Sequence, residues 1–405
     1  MKKVVITGLG AVSACGAGVE ALWTAARDGA SGVVDVEFPA MAHQSIKQAA
    51  RISSEVWDTV KTGSKPRFQD RVSILAQVAA REAVAQAGLG EGDFGPRCGV
   101  VVGSGFGGAE TLDVNYSRFF RPGTGRFDPM AVPKIMTSSA ASWIAMDWKA
   151  TGPLYCIATA CSSATQSIGL ALDLVRSGRV DRCLAGGAEA LLIDGVFNSW
   201  ETLHVMTSTK CRPFSRERNG MILGEGAGIV VVESAEAAAR RGAKPIVELL
   251  GHASTSDAND LLRPDPNGAA SCMRLALADA GLSTAEIGYV NAHGTGTIAN
   301  DLSETEALRE VFGEDFDRLS VSSTKPIHGH ALGAAGALEL IVTIEALRAQ
   351  IAPPTIGFLG VDPKIGFEPV PNAARAISTR AAMSNSFAFG GINAAVVIGL
   401  PEGQS

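Results

Sequence analysis

Strand-like runs alternate with amphipathic helices along the whole chain, and this alternation restricts the fold more than any other feature of the sequence. The helical pattern is clearest at residues 70–89, where Val72, Leu75 and Ala79 share one face, and it recurs at residues 267–282. Short apolar runs of the kind that form buried strands cover residues 97–105, 182–190, 228–234, 245–251, 287–296 and 380–391. The chain is therefore predicted to be an α/β protein.

The two helical stretches belong to units that look alike. Each helix ends in Ala-Gly-Leu, in which the glycine is suited to a left-handed helix cap. In the first unit a strand near residue 1 precedes the helix, and a strand leading into a glycine turn at 100–108 follows it. In the second unit a strand begins at residue 245, and the later strand leads into HGTG at 293–296. We interpret this as a duplication with halves at 1–244 and 245–405, although alternation alone also fits an ordinary doubly wound sheet.

The opening stretch at 1–16, MKKVVITGLGAVSACG, allows two interpretations. Lys2, Lys3 and the small residues before Cys15 suit a secretory leader. Gly8 and Gly10 interrupt the apolar run, which disfavours the short helix of a leader, and KVVITG is typical of a buried strand closed by a turn. This stretch alone does not decide between them.

Composition excludes several classes of function. A net charge of −6 disfavours a nucleic-acid partner, and an acidic partner would need a local basic patch. No window approaches the roughly 20 consecutive apolar residues of a membrane span. The seven cysteines are scattered and include no C-x-x-C pair, which predicts reduced thiols in a cytoplasmic protein and disfavours a disulfide framework or a zinc site.

Cys161 differs from the other cysteines because it lies where a strand-like run meets an apolar helix, in TACSSATQSIGLALDLV. The unpaired N–H groups and the positive dipole at a helix start favour a thiolate. The same N–H groups can bind an oxyanion that forms beside the sulfur. A purely structural role suits the nearby Cys156 better than Cys161.

Two histidines and a third glycine-rich turn occur in comparable positions. His293 is in NAHGTGTIANDLSE, His330 is in SSTKPIHGHALGAAGALE, and the third turn is in MSNSFAFGGIN at 383–393. Ligands of α/β sheets gather at the turns that follow strands. Taken alone, either histidine would more often be structural than catalytic.

Taken together, these stretches resemble the β-ketoacyl-acyl-carrier-protein synthases, in particular the elongating Cys-His-His class of the thiolase-like superfamily. The resemblance runs from VVITGLGAVSACG to SNSFAFGGIN, so it assigns residues 1–16 to the first strand and turn of the fold and not to a leader. It implies a thiolase-like α/β fold with two duplicated halves in a five-layered αβαβα arrangement. The N-terminal half would carry Cys161, and the C-terminal half would carry His293, Lys325 and His330.

The implied activity is a decarboxylative Claisen condensation, which makes the chain an acyltransferase. Malonyl-acyl-carrier protein would extend an acyl group on Cys161 in fatty-acid or polyketide-type synthesis. Both substrates would be carried on the phosphopantetheine of the carrier, and no organic cofactor is expected. The expected assembly is a cytoplasmic homodimer. The alternative is the catalytic subunit of a heterodimer with a chain-length partner, in polyketide or aryl-polyene synthesis.

The resemblance also implies roles for the residues nearest the nucleophile. His293 and His330 would promote decarboxylation and stabilise the enolate. Lys325 would order the site, with Glu304 as its acidic partner. His328 has no catalytic counterpart and is expected at the surface or behind the catalytic residues.

Further residues would bind the substrates. The backbone N–H groups of Cys161 and Phe389 would form the oxyanion hole, and Phe389 would also gate the site. Thr295 and Thr297 would hydrogen-bond the phosphopantetheine arm, and Phe106 would line the far end of the acyl tunnel. A basic patch for the acidic carrier is expected at Lys65, Arg67 and Arg71. A site for a monovalent cation would be formed by Asn291, Glu339, Ser384 and Asn385.

Competing patterns fit less well. The opening glycines do not complete the dinucleotide-binding pattern G-x-G-x-x-G. A biosynthetic thiolase would have a second catalytic cysteine late in the chain, whereas no cysteine follows Cys272. The motif from Lys325 to His330 favours histidine as the third catalytic residue over the asparagine of Cys-His-Asn synthases. A non-catalytic chain-length subunit would lack the nucleophile that Cys161 provides.

Overall fold

Ten strands form the body of one hydrogen-bonded sheet in the computed structural model, which describes residues 2–38, 41, 43–123 and 125–403. The first five strands are β1 (Val4–Ser13), β2 (Cys98–Gly103), β3 (Leu154–Ile157), β4 (Arg182–Glu189) and β5 (Gly226–Ser234). The second five are β6 (Val247–Ser256), β7 (Ile287–Asn291), β8 (Ser320–Ser322), β9 (Ala381–Ala388) and β10 (Ile392–Gly399). Short strands also lie at Gly16–Ala17, Val34–Asp35, Gln48–Ala49, Ile351–Ala352 and Arg375–Ala376.

The two sets of strands repeat one topology. The first set runs β3-β2-β4-β5-β1 across the sheet, and the second set runs β8-β7-β9-β10-β6. In each set the first three strands are parallel, and the two remaining pairings are antiparallel. A short antiparallel pairing of β1 with β6, in which Ile6 lies opposite Val247, joins the sets. The strand order thus repeats as the Ala-Gly-Leu helices do along the sequence.

Helices cover both faces of the sheet and fill the space between the two sets of strands. The described residues form α1 (Val19–Asp28), α2 (Ser54–Val60), α3 (Arg71–Ala87), α4 (Ala109–Phe119), α5 (Ala131–Ile135), α6 (Ser139–Trp148), α7 (Ser163–Arg176), α8 (Asp194–Thr202), α9 (Ala235–Arg240), α10 (Pro266–Ala280), α11 (Ile298–Phe312), α12 (Lys325–His328) and α13 (Ala335–Ala349). Short 3₁₀ helices lie at Glu91–Asp93, Ala160–Ser162, Thr284–Glu286, Gly313–Arg318 and Leu332–Ala334.

Helices α7 and α13 form the middle layer. Leu172 and Val175 of α7 share a buried core with Leu338 and Ile341 of α13 and with strand residues of both sets. Helices α3 and α6 cover the opposite face of the first set, and α10 and α11 cover the opposite face of the second set. The layers therefore follow the order helix, strand, helix, strand, helix, which confirms the predicted five-layered α/β arrangement.

The two repeated helices begin and end close to the predicted positions. Helix α3 begins after Asp70 and α10 begins after Asp265, and each aspartate side chain accepts a backbone hydrogen bond from the first turn. Gly88 and Gly281 end them in the left-handed conformation, with φ of 66° and 67°. The cap pattern read from the sequence is confirmed at both helices.

Two predicted strands end earlier than their apolar pattern indicated. The run at 287–296 forms a strand only to Asn291, because Gly294 and Gly296 turn the chain with φ of 36° and 79°. The run at 380–391 ends at Ala388, before the two left-handed glycines that follow Phe389. Both early ends leave His293 and Phe389 on turns and not on strands.

The first strand shows why the opening glycines are needed. All ten residues of β1 are buried, and its neighbours in the sheet are β5 and β6. A Cβ atom on Gly8 would lie 2.0 Å from the Ala83 carbonyl oxygen of α3, and one on Gly10 would lie 1.9 Å from that of Ala79. The strand interpretation of this stretch is confirmed, and the glycines that interrupt the apolar run allow α3 to approach the strand closely.

Two expectations from composition concern the membrane and the cysteines. Across the described ranges, no helix combines the length and the apolar character needed to cross a membrane. All seven cysteines fall within those ranges, and each is a free thiol. This agrees with the prediction of reduced thiols.

Candidate active site

Cys161 lies in a tight turn between β3 and α7. The turn is the 3₁₀ helix Ala160–Ser162, and α7 follows it directly. Ala160 has a left-handed φ of 49°, which is uncommon for a residue with a Cβ atom. The Ser163 hydroxyl braces the turn, since it accepts from the Thr159 N–H at 2.9 Å and donates to the Ala160 carbonyl at 2.7 Å. Cys161 is therefore held at the start of a buried helix, where the sequence placed it.

Both candidate histidines face Cys161. His330 Nε2 lies 3.0 Å from Cys161 Sγ, and the rings of His293 and His330 are nearly perpendicular, with centroids 5.4 Å apart. One side-chain atom of each of the three residues falls within 4.8 Å of the other two. All three side chains are buried. The structure thus brings together the Cys-His-His set from three separate segments of the chain.

Burial keeps these three groups neutral at rest. It raises the pKa of the Cys161 thiol to about 12, while the positive charge of Lys325 acts in the opposite direction. Burial also lowers the pKa of His293 and of His330 well below the ordinary histidine value, and Lys325 lowers both further. The resting site therefore holds a thiol and two neutral imidazoles, each with one N–H donor and one acceptor nitrogen.

Lys325 determines which nitrogen of His293 carries the proton. Its ammonium group donates to the His293 carbonyl oxygen and to Glu339 Oε1, and it lies 3.3 Å from His293 Nδ1. An ammonium group only donates, so His293 Nδ1 must accept and the ring proton lies on Nε2. His330 differs, because its Nδ1 is buried without a hydrogen-bond partner in the described part of the chain. Its Nε2 can therefore accept from the thiol or, in the other tautomer, donate.

Glu304 does not pair with Lys325, contrary to the expectation from the resemblance. The ion pair of Lys325 is with Glu339 of α13, because that carboxylate faces the ammonium group. Glu304 of α11 instead accepts hydrogen bonds from the N–H groups of His293 and Gly294, each at 2.8 Å. Burial raises the Glu304 pKa to about 7, and these two N–H groups oppose the rise. Glu304 therefore holds the backbone of the turn that carries His293.

A cavity of about 730 Å³, which includes its open mouth, leads to Cys161, His293 and His330. Thr295 and Thr297 line it, and their hydroxyl oxygens are 2.8 Å apart. Phe389 also lines it and stacks on Trp200, with ring centroids 5.9 Å apart. Part of the wall comes from a loop that sequence analysis did not single out, formed by Leu261, Leu262, Arg263 and Pro264. The candidate residues for binding the arm and for gating thus lie on one cavity that reaches Cys161.

Phe106 lies outside this cavity in the single chain. Its side chain is 48% exposed on the loop after β2, and the cavity wall does not include it. One chain alone therefore does not place Phe106 at the end of an acyl tunnel. Its role in the tunnel stays a prediction that depends on a second subunit.

Four buried oxygen atoms on β7, β9 and α13 have no hydrogen-bond partner within the described ranges. They are Oδ1 of Asn291, Oε2 of Glu339, Oγ of Ser384 and Oδ1 of Asn385. Asn291 and Ser384 lie opposite each other on β7 and β9, and the Asn291 amide donates to the Glu339 carbonyl at 3.3 Å. Buried oxygens without partners are unfavourable, and oxygens are the ligands that hard cations prefer. Asn291, Glu339 and Ser384 therefore fit the expected monovalent cation, whereas the Asn385 amide nitrogen contacts Met273 Sδ of α10 at 3.3 Å, on the opposite face of β9 from Ser384.

His328 lies behind the candidate catalytic residues and not at the surface. Its side chain is fully buried, with Nε2 at 2.9 Å from Thr324 Oγ1 and Nδ1 at 2.8 Å from the Gly329 carbonyl oxygen. Burial lowers the His328 pKa to about 3. Both ring nitrogens are thus engaged, which leaves neither for a substrate.

The expected basic patch is smaller than the sequence indicated. Arg71 pairs with the buried Glu225 through two N···O contacts of 2.7 Å, and its guanidinium stacks at 4.0 Å from the Trp57 ring centroid. Arg71 is therefore neutralised within the protein and is not available to a carrier. Lys65 and Arg67 are exposed and form what remains of the patch.

Sequence analysis missed Glu189, the last residue of β4. Its buried carboxyl group accepts hydrogen bonds from backbone N–H groups of the loop after β2 and of the turn after His330. The surrounding GGAEA run is typical of any strand that packs closely against a helix. A charged residue at the end of an otherwise apolar buried strand was the one available signal.

Comparison with known proteins agrees with this geometry. The chain matches the model of the beta-ketoacyl synthase N-terminal domain at residues 1–238 and that of the C-terminal domain at residues 246–359. It is 40% identical over 398 residues to Nodulation protein E of Rhizobium sp. (strain N33), which covers 97% of this chain and 98% of that protein. It is 37% identical over 404 residues to 3-oxoacyl-[acyl-carrier-protein] synthase 2 of Staphylococcus aureus (strain N315), with 98% of each covered.

The fold comparison leads to the same family. The structure of the ishigamide ketosynthase/chain length factor matches with a TM-score of 0.94 at 34% identity, and the match covers 99% of each chain. The fold is thus the thiolase-like fold of ketosynthases, and the chain is a condensing enzyme of the acyltransferase type. With both family models matched and a Cys-His-His set at the end of one cavity, this chain belongs to the β-ketoacyl synthase family.

Proposed function

We propose that this chain is a 3-oxoacyl-acyl-carrier-protein synthase in which Cys161 holds the acyl group. A malonyl-derived enolate attacks this acyl group and so extends it. One observation supports the residue roles above all others. Cys161 Sγ lies 3.0 Å from His330 Nε2, with His293 close to both and a cavity leading to all three. This arrangement supplies a nucleophile, a proton acceptor and N–H donors at one point, which acyl transfer followed by decarboxylation requires.

In the first half-reaction, Cys161 takes the acyl group from its carrier. The thiol gives its proton to His330 Nε2 as the sulfur attacks the thioester carbonyl, because burial disfavours a standing thiolate. The backbone N–H groups of Cys161 and Phe389 stabilise the oxyanion. The bond between the carbonyl carbon and the carrier sulfur then breaks, and His330 returns the proton to the departing thiolate.

In the second half-reaction, the two histidines stabilise the negative charge of the enolate. His293 presents its Nε2–H because Lys325 occupies the Nδ1 side, and His330 presents Nε2–H in its other tautomer once the thiol is acylated. Both donate to the thioester oxygen of the malonyl group as carbon dioxide leaves. The enolate carbon then attacks the acyl carbonyl, the bond to Cys161 Sγ breaks, and the thiolate takes up one proton.

The carrier protein is part of the proposal, since the Staphylococcus aureus relative is named for it. The hydroxyl groups of Thr295 and Thr297 would hydrogen-bond the phosphopantetheine arm in the cavity. Lys65 and Arg67 would attract the acidic carrier, and this attraction would weaken with salt. Arg71 is left out of this docking role because Glu225 already neutralises it.

A second subunit would cover the exposed edge of the sheet. Strand β3 is the last strand at one edge, and Leu154 at its start is 36% exposed. The Cys156 thiol of β3 donates to the Thr137 carbonyl at 3.2 Å, so the segment before α6 adjoins this edge. Phe106 and Phe120 lie exposed on neighbouring segments. We favour a homodimer along this edge. The relative named as a ketosynthase/chain length factor supports a heterodimer as the alternative.

The proposed length of the primer depends on the same second subunit. If a second subunit encloses Phe106 in the acyl tunnel, its ring would exclude part of a long chain, and each excluded methylene would forfeit about 0.8 kcal/mol of burial. We therefore propose short or medium primers, or rigid ones.

The seven free thiols support a cytoplasmic location. A monovalent cation at Asn291, Glu339 and Ser384 would supply positive charge beside Glu339 and join β7, β9 and α13.

The experiment that tests the proposal combines purified chain, acyl-carrier protein and malonyl-carrier protein. Intact-protein mass spectrometry should show one acyl adduct, and fragmentation of the peptide that contains both Cys156 and Cys161 should place it on Cys161. The Cys161→Ala variant should lose condensation but keep some malonyl decarboxylation, because both histidines remain. Cys272→Ala is the matched control, since Cys272 is buried in α10 away from the cavity wall. An adduct on another cysteine, or condensation by Cys161→Ala, would overturn the assignment.

A further inference from the structure

Glu189 connects two loops that meet next to the nucleophile. Its carboxyl group accepts from the Gly105 N–H at 2.7 Å and the Phe106 N–H at 3.3 Å, both on the loop after β2. It also accepts from the Ser104 hydroxyl at 3.2 Å and from the Gly333 N–H at 3.0 Å. The side chain is fully buried, so these hydrogen bonds are shielded from water.

The turn that Glu189 holds begins at His330. Gly333 belongs to the 3₁₀ helix Leu332–Ala334, which starts two residues after His330. Leu332 has a left-handed φ of 42°, a conformation that persists only where neighbouring contacts enforce it. The Glu189 hydrogen bond to Gly333 is one such contact, and no salt bridge neutralises the carboxyl group within the described part of the chain.

The glycines around this carboxyl group leave no room for larger residues. A Cβ atom on Gly105 would lie 2.9 Å from Glu189 Oε2, and one on Gly333 would lie 2.6 Å from the same oxygen. Both loops therefore approach the carboxylate so closely that only the backbone can face it. The pocket of N–H groups is matched to one carboxylate.

The charge of Glu189 does not explain its presence. A negative charge near Cys161 raises the pKa of the thiol, which is the opposite of what activation needs. Glu304 offers the closer parallel, because it accepts from the N–H groups of His293 and Gly294 and so fixes the other histidine turn. The value of Glu189 must therefore be geometric.

We propose that Glu189 is a positioning residue for the condensation reaction, which holds His330 against the Cys161 thiol through Gly333 and links that turn to the Phe106 loop. This inference rests on the condensation reaction proposed for the site. Misplacement of a catalytic group by about 1 Å costs roughly 100-fold in rate. Loss of the carboxylate should therefore lower kcat and leave substrate binding in the cavity nearly intact.

The test compares Glu189→Gln, Glu189→Ala and Glu189→Asp with wild type. Rates are expressed per site that can be acylated on Cys161, so that misfolded protein does not count. We expect kcat to fall about 10- to 100-fold in Glu189→Gln, with KM for malonyl-carrier changed less than about threefold, and Glu189→Asp to recover part of the loss. In Glu189→Ala, added formate should bind the N–H groups that Glu189 left free. It should raise kcat at least about tenfold above that of the same variant without formate.

Glu233→Gln is the matched control. Glu233 is equally buried and lies on β5 opposite Arg182, at the other end of β4 from Glu189. It pairs with Arg182 and Arg241, so its loss should reduce stability without changing kcat per site. Formate should not accelerate this variant or wild type.

The outcomes separate this inference from the proposed function. Absence of condensation in wild type would refute the proposed function. An active wild type with unchanged kcat per site in Glu189→Gln, or with no formate rescue of Glu189→Ala, would overturn the role of Glu189 alone. A fall in kcat that Glu233→Gln shares to the same extent would also overturn it, since the effect would then be one of general stability.

Discussion

The two candidate catalytic histidines lie on turns that are held alike but differ in what fixes their protons. His293 has the Lys325 ammonium group 3.3 Å from Nδ1, which places its proton on Nε2. His330 has no described partner at Nδ1 and has Cys161 Sγ at 3.0 Å from Nε2. One ring is thus a fixed donor, and the other can change tautomer. A reaction with an acyl-transfer half and a decarboxylation half needs both kinds of ring.

The backbone supports of the two turns are more alike than the rings they carry. Glu304 holds the His293 turn and Glu189 holds the His330 turn, each through backbone N–H groups. Burial raises the pKa of each carboxyl group to about 7, while the N–H donors oppose the rise. The difference between the two sides of the site therefore comes from Lys325. Variants of the histidines and of Lys325 are the direct way to test it.

The largest expected effect is that of removing each histidine. His293→Ala should lose malonyl decarboxylation by about 10³-fold, because the fixed N–H donor is gone, yet should still acylate Cys161 at close to the wild-type rate. His330→Ala should be impaired in both half-reactions, with acylation slowed by about 10²-fold. Release of carbon dioxide and the rate of adduct formation on Cys161 measure the two halves separately.

One result would contradict this difference between the two histidine variants. If His293→Ala slows acylation as much as His330→Ala does, the two rings share the proton-transfer role and the fixed-donor assignment is wrong. Phe389→Ala provides a control in the same cavity, because it removes a ring from the cavity wall and leaves both imidazoles in place.

A smaller effect is expected when Lys325 is replaced. The proton of His293 should then no longer be fixed on Nε2, so that His293 resembles His330. Lys325→Met removes the donor at Nδ1 and leaves Glu339 buried without its partner, so it should destabilise the fold by about 3–5 kcal/mol. Lys325→Met combined with Glu339→Gln should recover most of that stability, since no unpaired charge remains. Decarboxylation should stay about tenfold or more below wild type in both variants, because His293 is no longer fixed as a donor.

Thermal unfolding and carbon dioxide release check these two expectations independently. Recovery of decarboxylation together with stability in the double variant would show that Lys325 acts through folding alone. Glu345→Gln is a suitable control on α13, because Glu345 pairs with Arg348 on the same helix, outside the cavity wall.

The sequence was sufficient for the residues that sit at the ends of strands and the starts of helices. Cys161 and the two histidines could be placed because glycine turns and an apolar helix mark their positions locally. Glu304 was assigned to Lys325 wrongly, because the choice between Glu304 and Glu339 depends on how α11 and α13 face the same turn. No local sequence pattern encodes which of the two helices turns its glutamate toward Lys325.

Two further residues show the same limit in different ways. Glu189 was missed because most of its partners are backbone N–H groups from distant loops, which leave no trace in side-chain chemistry. Phe106 was expected in a tunnel, but in one chain it is exposed, and the surface proposed to enclose it would belong to a second subunit. Contacts made by the backbone or by a partner are the ones that sequence patterns do not specify.

The smallest expected effect is that of His330 on the intrinsic reactivity of Cys161, and it tests whether the thiol is neutral at rest. Burial raises the Cys161 pKa to about 12, so the thiolate fraction should grow about tenfold per pH unit up to about pH 11. Alkylation of the Cys161 peptide by iodoacetamide should follow that slope without a plateau near neutral pH. In urea-unfolded protein, where the thiol has an ordinary pKa of about 8.5, the rate should level off above about pH 9. Because a neutral His330 stabilises no thiolate, His330→Ala should change the alkylation rate by less than about threefold. A plateau below about pH 8 in the folded protein that disappears in His330→Ala would instead reveal a preformed thiolate–imidazolium pair, and the assignment of His330 as a neutral, switchable ring would then be wrong.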